Sequence, residues 1–344
     1  VGILQQQNPS NYPLDADQST LSDQYFGRGN SPMTCGNTIS GNTFSGNGTD
    51  TRNIGVGGGI VTNTTTLEVF CSIQSAIDDA QTLGGHTLSV GNGTYNERVT
   101  VNKSLKLQGQ SEAGVILEGT GLSGTGSGIT VNSGIANVTI EKMTIQNYTG
   151  SSPNGNAGIW LKGSNNGFKA DQVTIKDNVN AAGIFAAGPV DGFTVTNSTV
   201  SNHGPGARGI VIWDGFKQNI NISNNTVSNN NCCGIELQDG DASAVNITGN
   251  TINIGGGDNA IGLVGLNATV GNNTVNNNTI IGGGRFGIEI KNPAGGVTVN
   301  GNSVTMSTYN ADLRDRAGIA ILRRGVGNSN VDVPNGVTIT GNTV

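Results

Sequence analysis

The stretch NNNCCGIELQDGDASAVNITGNT, Asn229 to Thr251, indicates the architecture because its parts recur along the chain. A glycine followed by isoleucine opens its strand-like part at Gly234. The same pair occurs at Gly158, Gly183, Gly209, Gly287 and Gly318, with Ala260-Ile261 in the place of one pair. The successive spacings are 25, 26, 25, 26, 27 and 31 residues. A period of this length is typical of solenoid proteins, in which each repeat packs only against its neighbours.

Each repeat carries three short runs in which apolar and polar residues alternate, as they do in half-buried strands. In the quoted repeat, Ile235 and Leu237 share one face of the first run, Val245 and Ile247 share one face of the second, and Ile252 begins the third. Three such strands cannot enclose a core within one repeat. They can do so when copies stack and each strand pairs with its counterparts at about 4.8 Å. The pattern therefore predicts an all-β fold, a parallel β-solenoid of about 25 residues per coil.

An asparagine precedes the third strand in phrases such as NISNNTV and NITGNTI. These residues are Asn225, Asn250, Asn302 and Asn342. In a stacked solenoid they fall in one column, where each inward amide can hydrogen-bond its counterpart one coil away. We therefore interpret the Asn-Thr pattern as a feature of the fold and not as a catalytic motif.

The amino-acid composition limits the structural and functional classes to which the protein can belong. Glycine accounts for 56 of the 344 residues, aromatic residues for 4% and charged residues for 12%. β-branched residues separated by glycine and asparagine favour short strands joined by tight turns. The net charge of −6 and the isoelectric point near 4.9 argue against a nucleic-acid partner. Because no apolar run approaches the length of a membrane span, we expect none.

The chain divides into two parts. Residues 1–70 are predicted to be an irregular Gly/Asn-rich N-terminal segment, and residues 71–344 the solenoid. A bare solenoid end would expose strand edges and core. We therefore expect the solenoid to continue or to be capped beyond Val344, by further domains or by a partner chain.

The four cysteines lack the spacing of a zinc or redox motif. A disulfide between Cys35 and Cys71 would tether the N-terminal segment of an exported protein. Cys232 and Cys233 are adjacent, so their side chains should point to opposite sides of a strand, and a bond between them would be strained. We interpret this doublet as structural.

A short amphipathic helix is predicted near residue 72. Ser72 is a plausible N-cap, and an apolar stripe follows before Gly84-Gly85, formed by Ile73, Ala76, Ile77 and Ala80. A helix here would cover the open end of the solenoid. This helix, the phrase GTYNERVTV at 93–101 and the following coils resemble the start of right-handed parallel β-helix proteins of the pectin-lyase-like superfamily. The resemblance runs from about Cys71 to Val344 and includes proteins of the bacterial surface and adhesin-like kind.

The resemblance implies that a polysaccharide would lie along the outer surface of one parallel sheet. The outward positions of the first strand of each repeat are therefore candidates for carbohydrate binding: Trp160, Lys162, Phe185, Trp213, Glu236 and Lys291. Aromatic rings can stack on sugars, and basic side chains, among them Arg208 and Arg285, can meet uronate carboxylates. The alternative is that these aromatic residues only cover one side of the sheet beneath a loop or a partner.

Acidic residues define a second candidate site. Asp214 and Asp239 should lie about 5 Å apart on adjacent coils, with Asp241 nearby. Such a cluster could bind calcium through oxygen ligands or hold a raised pKa for general-acid work. Pectate lyases of the superfamily pair calcium-binding aspartates with a basic residue, so Asp214, Asp239 and Arg208 are weak catalytic candidates. The alternative is that turn aspartates only satisfy local backbone donors.

Other motifs favour a role without catalysis. The carboxylate set of the galacturonan hydrolases and the Asp-Pro-His-Glu motif of the alginate epimerases are absent, and His203 lies in a Gly/Pro-rich turn where we expect it to be solvated. We predict an extracellular β-helix module of a cell-surface or filament-associated protein, a rigid scaffold or adhesin with a carbohydrate-binding outer face. A polysaccharide (uronate) lyase or related carbohydrate-active enzyme is the alternative. An ice-binding face would require Thr-x-Thr on every coil, and Lys169, Asn221 and Asn246 interrupt that column.

Overall fold

The structure is a computed structural model, and it describes residues 60–152, 156–254, 257–269, 272–282, 284–291, 294–306, 316–322 and 335–344. In chain order, the strands of the described residues are β1 Val61–Asn63, β2 Val69–Phe70, β3 Thr87–Val90, β4 Gly93–Tyr95, β5 Val99–Val101, β6 Lys106–Gly109, β7 Val115–Glu118, β8 Ile129–Val131, β9 Thr139–Gln146, β10 Ala157–Leu161, β11 Lys169–Lys176, β12 Ala182–Ala187, β13 Val190–Thr196, β14 Thr199–Ser201, β15 Arg208–Trp213, β16 Lys217–Ser223, β17 Thr226–Ser228, β18 Cys233–Thr248, β19 Thr251–Ile254, β20 Asn259–Thr269, β21 Asn273–Asn276, β22 Thr279–Gly282, β23 Phe286–Lys291, β24 Ala294–Asn300, β25 Ser303–Met306, β26 Ala317–Leu322 and β27 Asn335–Thr340. One helix, α1 Ile73–Asp78, precedes the coils.

Parallel pairing arranges the strands as three faces of a solenoid. The first sheet contains β5, β8, β10, β12, β15, the first half of β18, β20, β23 and β26. The second contains β3, β6, the first halves of β9 and β11, then β13, β16, the second half of β18, β21, β24 and β27. The third contains β4, β7, the second halves of β9 and β11, then β14, β17, β19, β22 and β25. The predicted parallel β-solenoid with three strands per coil is confirmed.

The core lies between the three sheets and consists of stacked aliphatic columns. The isoleucines of the Gly-Ile pairs are in register from coil to coil: Ile159, Ile184, Ile210, Ile235, Ile261, Ile288 and Ile319. All but Ile319, which is partly buried, are fully enclosed. Burying one such side chain contributes about 1.5–3 kcal/mol, so the columns are the main stabilising element of a chain that has few aromatic residues.

The predicted capping helix is present and has the predicted N-cap, but it ends earlier than expected. Ser72 Oγ accepts a hydrogen bond from the Ser75 N–H at 3.1 Å, as an N-cap should. The sequence did not reveal that the Glu97 carboxylate also accepts the Ile73 and Gln74 N–H groups, at 2.7 and 2.9 Å. The apolar side of α1 joins the solenoid core. Ala80 was predicted to belong to this stripe, and that prediction was wrong, because α1 ends at Asp78 and Ala80 is exposed.

The predicted asparagine column is confirmed and is continuous. Asn225 Nδ2 donates to Asn250 Oδ1 at 3.0 Å, Asn250 to Asn278 at 2.9 Å, and Asn278 to Asn302 at 3.0 Å. Asn302 donates in the same way to Asn342 at 2.8 Å. Each oxygen also accepts the backbone N–H of the preceding asparagine. Asn278 was not among the predicted members, and it completes the column. The ladder therefore satisfies buried amides without interruption over five coils.

The cysteine expectations had mixed outcomes. Cys71 is disulfide-bonded, and its predicted partner Cys35 lies outside the described residues. Cys232 and Cys233 are free thiols. They do not point apart as predicted: the Cys233 thiol hydrogen-bonds to Cys232, which lowers the pKa of Cys232 and raises that of Cys233. Strand alternation fails here because Cys232 lies in the turn before β18 begins.

The proposed N-terminal segment is described only at its end. Residues 60–70 include β1, which pairs antiparallel with β2 and β3, so this part joins the first coil. Residues 1–59 lie outside the described residues.

Candidate functional site

The outer face of the first sheet carries two columns of side chains in the predicted register. The first column is Trp160, Phe185, Val211, Glu236, Gly262, Glu289 and Ala320. The second includes Ala187, Trp213, Gln238, Val264, Lys291 and Leu322. The register follows from the inward isoleucines, because alternate residues of a strand point to opposite faces.

Part of this outer face is covered, although the sequence pattern predicted outward exposure throughout. Phe185 and Val211 are buried in a small second cluster with Ala157 and Ala182, and Trp160 and Trp213 pack against it while remaining partly exposed. Phe185 is only 4% exposed and meets the Trp213 ring edge-on, with centroids 6.1 Å apart. Phe185 therefore supports the tryptophans from below and offers little surface of its own.

Each tryptophan has a cation over its ring. Lys162 Nζ lies 5.1 Å from the centroid of Trp160, and the Arg208 guanidinium lies 5.0 Å from that of Trp213. The Trp213 indole N–H donates to Asp239 Oδ2 at 3.3 Å. Trp213 is thus held by Arg208, Asp239 and Phe185, which fixes its orientation on the outer face.

Arg208 forms an ion pair with Glu236, through Nε and Oε2. Both groups are largely enclosed, and Glu236 is 4% exposed. Burial by itself would lower the pKa of Arg208, but attraction to Glu236 outweighs it and the pKa is raised. Arg208 therefore remains charged and is already paired with the Glu236 carboxylate of its own chain.

A second buried acid, Glu289, lies two coils from Glu236 on the same column. Glu289 is 2% exposed, accepts a hydrogen bond from Asn259 Nδ2 at 2.9 Å and has Lys291 Nζ at 3.8 Å. Burial raises the pKa of Glu289, and the Asn259 hydrogen bond only partly offsets this. Gly262 separates the two acids, and a Cβ there would meet the Asn259 side chain within 2.8 Å. The missing side chain at residue 262 is what lets Asn259 reach Glu289.

Several polar atoms on this face have no partner within the described part of the chain. They are Trp160 Nε1, Gln238 Oε1 and Asn259 Oδ1, all buried. Buried polar groups in proteins nearly always have a hydrogen-bond partner. One donor and two acceptors of this face are therefore enclosed and unsatisfied within the described residues.

The three aspartates of the predicted metal site are arranged around a lysine. Asp214 and Asp239 lie on adjacent coils as predicted, because Trp213 pairs with Gln238. Lys217, with 0% exposure, donates to the Asp214 and Gly215 carbonyls at 3.2 and 3.0 Å and also to the Asp239 carbonyl. Burial lowers the pKa of Lys217 to about 8, although the three nearby carboxylates of Asp214, Asp239 and Asp241 oppose this.

The Lys217 ammonium lies among the groups of the predicted calcium site. Among the described residues, no three His, Cys, Asp or Glu side chains come together as metal ligands. The Lys217 ammonium instead supplies positive charge to the carbonyls of these turns. Calcium binding by the protein stays a prediction, and nothing below depends on it.

His203 was expected to be solvated, and that expectation was wrong. It is 3% exposed and faces the interior in the column of Asn178 and Asn230, directly after the third sheet. Within the part of the chain that the structure describes, neither ring nitrogen has a well-formed hydrogen bond. Burial lowers the pKa of His203 to about 4, although the Asn178 backbone and Asp177 oppose the shift. The imidazole is therefore neutral and is part of the core.

The predicted residues Trp160, Trp213, Glu236 and Lys291 lie on one face. Two other residues of this face, Asn259 and Glu289, were not among the predicted site residues. Asn259 precedes the Ala-Ile pair that replaces Gly-Ile, a signal that this coil differs from the rest. Glu289 stands in the same column as Glu236, and the alignment of repeats could have singled it out.

Comparison with known proteins agrees with this architecture. Residues 157–344 match the family described as "Right handed beta helix region". The chain belongs to this right-handed β-helix family. The described residues contain no helix long and apolar enough to cross a membrane.

Individual similarities are distant or short. A segment of 53 residues is 45% identical to a "Cell surface glycoprotein" of Methanothermus fervidus, covering 15% of this chain and 9% of that protein. The A-module of the mannuronan C-5 epimerase AlgE4 of Azotobacter vinelandii is similar over 78% of this chain and 71% of its own, with 15% identity and a TM-score of 0.45. A pectin methylesterase from Yersinia enterocolitica is similar over 80% and 90%, with 14% identity and a TM-score of 0.33. Similarities at this level carry no argument about activity.

Proposed function

We propose that this chain is an extracellular β-helix module of a cell-surface protein, a rigid scaffold that binds a glycan along the outer face of its first sheet. The observation that carries the proposal is the arrangement of Trp160 and Trp213. Both rings are partly exposed, each lies beneath a cation, and both share their face with Gln238 and Asn259, whose oxygens lack partners in the described chain.

This combination suits a sugar. The C–H faces of a sugar ring pack on aromatic faces, while its hydroxyls need donors and acceptors placed beside them. Trp160 and Glu289 lie five coils apart, so the face extends for roughly 24 Å along the solenoid axis at one strand spacing per coil. A face of that length favours an extended chain of several sugars over a single monosaccharide.

The charges on the face limit which glycan fits. Arg208 and Lys291, which were expected to meet uronate carboxylates, lie beside Glu236 and Glu289 of the same chain. Lys162 is exposed and has no carboxylate partner among the described residues. We therefore propose a hydroxyl-rich polysaccharide as the ligand, with any preference for uronates depending on Lys162.

The scaffold and surface roles rest on separate observations. The asparagine ladder and the isoleucine columns run through successive coils without a break, as a stiff rod requires. The disulfide at Cys71 suits an oxidising compartment outside the cytosol. The short match to a cell-surface glycoprotein supports the same location.

Binding to an immobilised set of neutral and acidic polysaccharides tests the proposal. We expect Trp160→Ala to weaken binding by roughly tenfold or more, about 1.4 kcal/mol. Ile281→Ala, an exposed apolar residue on the third sheet, is the matched control and should leave binding unchanged. Equal losses in both variants, or no glycan bound by the unaltered chain, would refute a site on the first sheet.

A carbohydrate-cleaving activity is the second candidate, and Glu289 is the observation that favours it. A buried carboxyl with a raised pKa can serve as a general acid, and Glu236 beside Arg208 would be the second carboxylate. The test is to incubate polysaccharides with the chain and measure new reducing ends and the ultraviolet absorbance of unsaturated products. Product that disappears in Glu289→Gln, while binding persists, would establish cleavage. Binding without any product would exclude it.

A further inference from the structure

We propose that Asn224 and Asn277 are N-glycosylation sites, which carry glycans along the edge where the second sheet turns into the third. Both begin an Asn-x-Thr sequence, Asn224-Asn225-Thr226 and Asn277-Asn278-Thr279. In a chain this rich in asparagine and threonine such sequences arise often. The structure must therefore decide which of them an enzyme could reach.

The two asparagines occupy the same turn on different coils. Their φ angles are 58° and 54°, in the left-handed region, which asparagine tolerates better than most residues. Gly249 and Gly301 hold the same place on other coils, with φ of 65° and 66°. The turn therefore requires only Asn or Gly and projects the side chain away from the core.

In the described structure neither amide nitrogen has a hydrogen-bond partner, and each Oδ1 lies over the glycine of the next coil, Gly249 or Gly301. Asn224 and Asn277 are exposed, and no hydrogen bond of the described structure involves Nδ2 of either. The middle residues behave in the opposite way, because Asn225 and Asn278 are buried in the asparagine ladder. The acceptor asparagine is thus separated by one residue from the structural asparagine.

The threonines of both sequences are exposed as well. Thr226 and Thr279 begin β17 and β22 on the outer face of the third sheet, and no hydrogen bond of the described structure occupies either hydroxyl. Among the sequons whose side chains the structure describes, these two alone combine an exposed asparagine, an amide nitrogen without a partner and a fully exposed threonine. Asn92, Asn102 and Asn137 meet the first two conditions, but the hydroxyl residues of their sequons, Thr94, Ser104 and Thr139, are only half-exposed.

Other sequons lack one of these features. Asn63 is fully buried, and its amide donates to Thr82 at 2.9 Å. The Asn197 amide donates to Asp171 at 2.9 Å, and the Asn246 amide to Asn221 at 3.1 Å. The Asn147 amide is held by Glu118 at 3.0 Å. These amides have structural partners and are poor acceptors.

The reaction needs a donor from outside the chain, a polyprenyl-phosphate-linked oligosaccharide, and its membrane transferase. The amide nitrogen of Asn224 or Asn277 forms a bond to the anomeric carbon of the first sugar, and the bond from that carbon to the phosphate oxygen breaks. The amide loses one proton, and the polyprenyl phosphate leaves with the electron pair. Asn224 and Asn277 are two coils apart, roughly 10 Å at one strand spacing per coil, with Gly249 between them. Two glycans can therefore be attached without a third acceptor crowding the intervening coil.

Glycopeptide mapping by mass spectrometry of the chain purified from the cells that naturally make it tests the proposal. We expect glycan masses on the peptides containing Asn224 and Asn277 and an unmodified Asn63. Unmodified peptides at both positions, or equal occupancy at Asn63, would overturn the proposal.

Three variants made in the same cells identify the attachment atoms. Asn224→Gly and Asn277→Gly keep a residue that the other coils use in this turn, so the fold should persist while the intact mass falls by one glycan in each. Thr226→Val keeps Asn224 but removes the hydroxyl and should also lose that glycan. An unchanged intact mass in these variants would contradict the assignment.

Discussion

The imidazole of His203 lies against the backbone of Gly183, and a Cβ at residue 183 would come within 2.9 Å of Nε2. Asn178 Nδ2 has the same relationship to Gly158, at 3.2 Å, and Asn230 Nδ2 to Gly209, at 2.8 Å. A Val or Ile side chain of the third sheet and the carbonyl of the next coil come still closer to such a Cβ, at 2.2–2.6 Å and 2.5–3.0 Å. The glycine of the Gly-Ile pair is therefore needed because the third sheet, the next coil and this polar side chain together leave no room for a side chain. The repeat depends on these close contacts as well as on its apolar columns.

Replacing His203 tests this relationship through pH. Because burial lowers its folded pKa to about 4, the native state binds this proton less readily than an unfolded histidine with pKa 6.5. Stability is therefore fully present above pH 6.5 and falls as the pH drops toward 4, by about 3 kcal/mol. His203→Asn, which copies Asn178 and Asn230, should flatten this part of the profile. Urea unfolding between pH 7 and pH 4 measures it. An unchanged slope in the variant would show that His203 does not titrate as described.

Glu289 should give stability a pH dependence opposite in sign to that of His203. Its raised pKa means that the native state holds this proton more tightly than the unfolded chain, so stability falls as the pH rises from about 4.5 through the folded pKa. Glu289→Gln keeps an acceptor for Asn259 and removes the charge. We expect the variant to be more stable than the unaltered chain at pH 7 and equal to it near pH 4. Thermal unfolding at both values measures the difference, and a variant destabilised at pH 7 would contradict the account.

We expect Lys217 to contribute strongly to the free energy of unfolding. Lys217→Met removes the donor that three backbone carbonyls share, which should cost roughly 3 kcal/mol or more, because each buried acceptor left unsatisfied costs about 1–3 kcal/mol. Lys169→Met is the control, because its ion pair is partly exposed, is 3.8 Å long and should contribute less than about 1 kcal/mol. Chemical denaturation of both variants compares them. Similar stabilities would mean that Lys217 is dispensable.

The same denaturation experiment tests the calcium prediction. Excess calcium that raises the stability of the unaltered chain, and chelation that lowers it, would establish a metal site. If Lys217 already supplies the positive charge in these turns, calcium should leave the stability of the unaltered chain unchanged.

The asparagine ladder should contribute measurably to the free energy of unfolding. Asn250→Ala leaves the backbone N–H and the amide of Asn225 without their acceptor, and should cost roughly 2–4 kcal/mol. Asn253→Ala, an exposed position on the same coil, should change stability by less than about 0.5 kcal/mol. Equal effects at the two positions would mean that the ladder does not stabilise the stack.

Periodicity was enough to predict the coil, the inward isoleucines and the asparagine column, because each depends on contacts with an identical neighbour. It failed where unlike residues meet. The burial of Phe185 depends on neighbouring alanines and tryptophans, and that of Lys217 on turns from two coils. His203 appeared solvated because Gly and Pro surround it in sequence, yet its position relative to the third sheet places it inside. Of the candidate face, the column was predictable, whereas Asn259 required the knowledge that Gly262 leaves room for it.

The glycan-binding face proposed for the first sheet has a direct optical test. The chain contains two tryptophans, Trp160 and Trp213, and both lie on that face. Titration with a polysaccharide that binds should therefore change the intrinsic tryptophan emission in a saturable way. Trp160→Phe and Trp213→Phe should each retain part of the change. Calorimetric binding of the same polysaccharide with unaltered tryptophan emission would place the ligand elsewhere and contradict the account.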